Sequence, residues 1–106
     1  MKRGDDINAG DRDNVTPIVY AAYNNHLNAV KYLISLKAEL NSRGKDGITA
    51  LMRAVEKGNI DMIKSLITAR ANLNIVDNYK CTALSRAVNK IKNTAIADIL
   101  KKAGAK

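Results

Sequence analysis

The chain has 106 residues, 46% apolar and 26% charged, which is the make-up of one ordinary folded domain and not of a disordered segment. It carries 18 Lys and Arg against 10 Asp and Glu, a net charge of +8, so its surface favours acidic partners in a salt-dependent way. One Cys and one His exclude an intramolecular disulfide and a zinc site, and the absence of Trp and Phe excludes a core of bulky aromatics.

Self-similarity organises the rest. Thr16-Pro17-Ile18, Thr49-Ala50-Leu51 and Thr82-Ala83-Leu84 stand 33 residues apart, as do Ala21, Ala54 and Ala87, and Leu40-Asn41 and Leu73-Asn74. In chain order, residues 1–11 read as the tail of a preceding repeat, because Ile7-Asn8 falls one period before Leu40-Asn41. Residues 12–44 form a first repeat, 45–77 a second, and 78–106 a C-terminal capping repeat. The expectation is a piece of a longer array, with a tail before the first repeat and a cap at its end; the alternative is a chain that starts with a bare hairpin arm.

Each repeat predicts helix, tight turn, helix and an extended, hairpin-like connection. Thr16 can cap the first helix and Pro17 fits its first position, where a missing N–H costs nothing. That helix spans roughly residues 17–24 and ends at Asn24-Asn25. The second runs over about 27–36, with Val30, Leu33 and Ile34 on one face at helical spacing. Ile63, Leu66 and Ile67 repeat that face, and Lys101 takes the place of Ile34 and Ile67 once one extra residue near Ile91-Lys92-Asn93 is allowed for. A charge there suits a terminal repeat with no neighbour to cover it. Helices this short are marginal alone and must be held by neighbouring repeats.

These residues resemble the ankyrin-repeat family. Thr16-Pro17-Ile18-Val19-Tyr20-Ala21 is the nearest copy of its signature, and Leu33 to Asn41 and Leu66 to Asn74 match its later positions. The resemblance covers essentially the whole chain and implies an all-α solenoid of stacked helix-turn-helix units with hairpin-like connecting loops. The family's signature His is Val19, Met52 and Ser85 here, so its hydrogen bonds near the Thr are expected to be missing. Lys37 and Arg70 replace the usual Gly after the second helix, so a left-handed cap there costs of order 1 kcal/mol per site.

No catalytic constellation is legible. His26 falls at a turn, Cys81 aligns with Val15 and Ile48 in a connecting loop, and Asp5-Asp6 and Asp11-Asp13 read as solvating charges. Gly44-Lys45-Asp46-Gly47 reads as a turn, not a phosphate loop. No enzyme activity, cofactor, metal or small-molecule substrate is expected.

The resemblance instead implies a protein–protein interaction module whose partner lies on a concave face of hairpin tips and first helices. Carried along by 33, the tip positions are Arg12 and Lys45, with Tyr79 beside Asn78; the helix positions are Tyr20, Arg53 and Arg86, then Tyr23, then Lys57 and Lys90. Tyr20 and Tyr23 would form an aromatic patch, and Arg53, Lys57, Arg86 and Lys90 a basic ladder, favouring an acidic or mixed segment. Lys31, Lys64, Asp61 and Asp98 fall on the opposite side and are expected only to solubilise, while Tyr32 is expected to be partly buried. The alternatives are a non-specific polyanion or nucleic-acid binder, or a structural spacer of a longer array. Few aromatics and no nucleic-acid motif weaken the former. No membrane contact is expected: the longest apolar runs are a few residues, and Met1 to Asp6 lacks the apolar core of a signal peptide. The expected setting is cytoplasmic or otherwise intracellular, which leaves room for delivery into a host cell.

Overall fold

The computed structural model describes residues 7–13 and 15–106. The expectation for Gly4 to Asp6, including the Asp5-Asp6 pair, lies outside them. The described residues contain helices and turns and no strand, arranged as an elongated body of 42 × 25 × 21 Å. Three helix pairs stack along it: α1 (Pro17–Tyr23) with α2 (Leu27–Ser35), α3 (Ala50–Lys57) with α4 (Ile60–Thr68), and α5 (Ala83–Ser85) with α6 (Thr94–Lys102). This is an all-α solenoid of stacked helix-turn-helix units, the architecture that the resemblance implies.

The helix starts follow the repeated Thr, with different success. Thr49 Oγ1 accepts from Met52 N at 3.3 Å. Thr82 does better, because Ser85 N donates to its hydroxyl at 3.1 Å while Thr82 N donates back to Ser85 Oγ at 2.8 Å, a reciprocal capping box. The expected loss of hydrogen bonds near the Thr therefore fails in the third repeat, where Ser85 supplies them. Thr16, followed three residues later by Val19, makes no cap bond, and its buried hydroxyl has no partner.

The second helices end as the Gly-to-Lys and Gly-to-Arg exchanges predict. Lys37, Arg70 and Gly104 take φ of 63°, 68° and 107°. Beyond them Ala38, Ala71 and Ala105 N–H groups donate to Leu33, Leu66 and Leu100 carbonyls at 3.1, 3.0 and 2.9 Å. That six-to-one bond is the Schellman stop, and it holds the chain left-handed even without glycine.

Burial follows the repeat. Val30 and Leu33 on α2, Met62, Ile63 and Leu66 on α4, and Ile96 and Leu100 on α6 form the core with α1 and α3. Asn8, Asn41 and Asn74 accept through Oδ1 from the backbone N–H groups of Glu39, Asn72 and Lys106 at 2.7, 2.7 and 2.9 Å. Each Asn thus ties one connecting loop to the next. The extra residue of the third repeat is absorbed by widening a helix: α5 runs on into a π-helical segment, Arg86–Ile91. Lys92 then takes the left-handed place of Gly58, and Asn93 caps α6 as Asn59 caps α4.

Candidate functional site

The hairpin tips and first helices meet along one side, where a groove of about 350 Å3 crosses from the first repeat to the second. Val15 and Val19 line its apolar part, and Tyr20 and Tyr23 stand one helical turn apart on α1. Lys45 and Asp46 enter from the second hairpin tip, Arg53 from α3, and Asp11 and Asp13 from the first tip. Tyr20 is 60% exposed, unusual for a large aromatic, while Arg53 is mostly covered. The Arg53 guanidinium lies 4.8 Å and the Lys57 ammonium 5.0 Å from the centre of the Tyr23 ring, so cations from the second repeat embrace an aromatic of the first.

Of the nine residues expected to meet a partner, Tyr20, Tyr23, Lys45 and Arg53 thus line one groove, with Lys57 at its edge. Arg12 is exposed at the first tip outside the groove lining. Tyr79 and Lys90 are exposed on the third repeat, the Lys90 ammonium 5.9 Å from the Tyr79 ring centre.

Arg86 is the correction. It was expected on the open face of its helix, yet it is only 4% exposed. Its Nε donates to Asp77 Oδ2 at 3.1 Å, its Nη2 to the same oxygen, and its Nη1 to Glu56 Oε1 at 2.8 Å. Glu56 Oε2 in turn accepts from Arg53 Nη1 at 3.2 Å. Two of the four ladder cations are therefore held by carboxylates in a network joining the second and third repeats. Glu56 and Asp77 carry this arrangement: helical spacing reveals only the Arg53–Glu56 pair on α3, whereas the contacts of Arg86 cross from one repeat to the next. Tyr32 also departs from expectation: it is 61% exposed, because no described element packs over that side of α2.

The carboxyl of Asp77 is buried, which by itself raises its pKa. Cys81 N–H, the Arg86 guanidinium and Tyr79 N–H outweigh that burial, and the net direction is below the usual carboxylate value. Asp77 Oδ1 accepts from Tyr79 N at 2.8 Å and Cys81 N at 2.9 Å, leaving Oδ2 for the guanidinium.

The same machinery recurs incompletely in the other repeats. Position 44 is Gly where position 77 is Asp, and the buried Nε of Arg53 finds no acceptor. Asp11 repeats the Asp77 turn, its Oδ1 accepting from Asp13 N at 2.8 Å and Val15 N at 3.0 Å, but Tyr20 stands where Arg86 does. Asp11 is therefore a turn-holding residue at the groove edge and not merely a solvating charge.

His26 is exposed at its turn, and Cys81 Sγ lies 3.7 Å from the Tyr79 carbonyl oxygen. Among the described residues no group of three or more His, Cys, Asp or Glu could hold a metal ion, and no helix is long and apolar enough to cross a membrane. Residues 18–67 match the family model described as ankyrin repeats (many copies). No curated protein matches the chain.

Proposed function

We propose that this chain, whose residues 18–67 match the family model of ankyrin repeats, binds a partner protein through the groove between its first two repeats, taking a segment of mixed charge. Ankyrin repeats are generally protein–protein interaction modules and typically not enzymes. The observation that carries the reading is the convergence of exposed Tyr20 and Tyr23 with Lys45, Arg53, Asp11 and Asp46 around one groove. Tyr and Arg are the residues on which interface energy concentrates, and both signs of charge are present within reach of one extended chain. A purely acidic partner is disfavoured by the pairing of Arg53 and Arg86 with Glu56 and Asp77. The same pairing weakens the polyanion reading, which rests on the net charge of +8 alone.

A peptide-display selection on the immobilised protein tests the groove, run beside a Tyr20→Ala, Tyr23→Ala, Lys45→Glu variant. These side chains are exposed, so the variant should keep its fold, whereas changing Arg86 would strand buried Asp77. The expected outcome is a motif enriched on the wild type and lost on the variant. Identical selections on both proteins would remove the groove from consideration.

A further inference from the structure

The junction before the third repeat contains a worked example of what the junction before the first repeat lacks. Positions 11 and 77 are both Asp, two periods apart, and each opens a turn whose backbone closes in the same way: Asp11 N–H donates to Val15 O at 3.2 Å and Asp77 N–H to Cys81 O at 2.9 Å. In both, Oδ1 accepts the N–H groups two and four residues on. The two carboxylates are thereby held in the same relation to the helix that follows. At Asp77 the remaining oxygen takes the Nε and Nη2 edge of Arg86. At Asp11 no described side chain takes it, because the residue at the place of Arg86 is Tyr20, whose phenol stands largely in solvent.

We propose that the groove takes a partner segment carrying an arginine, whose guanidinium occupies beside Asp11 the place that Arg86 fills beside Asp77. This rests on the groove reading above and names the chemistry it selects. The lining agrees with it. Asp13 and Asp46 add negative charge beside Asp11, against Lys45 and an Arg53 already shared with Glu56. Tyr20 offers a ring face on which a planar guanidinium stacks, while the Tyr23 ring already carries Arg53 and Lys57. Arginine is selected over lysine because two donors on one rigid guanidinium edge converge on the single carboxylate oxygen the turn leaves open, as Nε and Nη2 do on Asp77 Oδ2. A protein of net charge +8 would thus hold a local cation site, which composition alone would never suggest.

The test uses the full chain and the peptides it selects from a random display library. Wild type should enrich an arginine at one fixed position. Replacing that arginine by citrulline, which keeps the shape and removes the charge, should weaken binding about tenfold or more on wild type. On Asp11→Asn, which keeps the turn acceptor and loses the charge, the same replacement should change affinity by less than about twofold. Tyr20→Arg, which puts a guanidinium into the chain at the place of Arg86, should likewise abolish the dependence on the peptide arginine, and thermal melts confirm that both variants fold. Equal citrulline penalties on wild type and Asp11→Asn would overturn the assignment, as would a selected motif without arginine. If that arginine-free motif is still lost on the Tyr20→Ala, Tyr23→Ala, Lys45→Glu variant, only this inference falls. If no motif emerges, or it ignores those three substitutions, the groove reading falls with it.

Discussion

Asp77 stands at the junction of the second and third repeats with its side chain fully buried, and it is tolerated only because two backbone N–H groups and a guanidinium meet it. Its carboxyl is held below the ordinary value, so the folded state binds its proton less readily than the unfolded chain does. The stabilisation is therefore complete above an unfolded carboxylate pKa of about 4 and is lost as pH falls through the lower folded value. Urea midpoints measured from pH 7 down to pH 2 should fall in that acid window, and Asp77→Asn should flatten the fall while lowering the plateau at pH 7. A second contrast lies in the caps. Thr82→Val removes the hydroxyl that accepts from Ser85 N, leaving the Thr82 N–H bond to Ser85 Oγ, and should cost about 1 kcal/mol in denaturant melts. Thr16→Val removes a buried hydroxyl that has no partner, and its cost should be within about 0.5 kcal/mol of zero or favourable.

The helix ends are where element-scale stability can be gained. Lys37 and Arg70 sit left-handed at 63° and 68°, each held by a Schellman bond from the following Ala. Lys37→Gly and Arg70→Gly should each raise stability by about 1 kcal/mol in chemical denaturation, because Gly carries no Cβ penalty there, and the two gains should add. These stops were legible in the sequence, since the period places both residues where the family has Gly. The first helix of the third repeat was less so. The late arrival of Gly104-Ala105 shows that a residue is extra and points to Ile91 to Asn93, but the slack is taken up over Arg86–Ile91 as a π-helical turn. Sequence registers the surplus at the next landmark, whereas the helix spreads it along its hydrogen bonds.

At the scale of the whole molecule, repeat units that touch only their neighbours make position within the repeat a reliable guide to direction. The period of 33 by itself determined the helix pairs and their buried faces, the family resemblance implied the side that carries Tyr20, Tyr23, Lys45 and Arg53, and the structure added the Asn ties between loops. The period could not determine which cations remain free. Arg53 and Arg86 occupy the same place in successive repeats, yet the state of each depends on residues outside that place. Asp77 lies 9 positions before Arg86 and Glu56 lies 30 before it, while Gly44 leaves Arg53 without the acceptor that Asp77 gives Arg86. Only the tertiary structure brings those partners within hydrogen-bond distance, because an ion pair is decided by the group opposite and a repeat pattern specifies only the group itself.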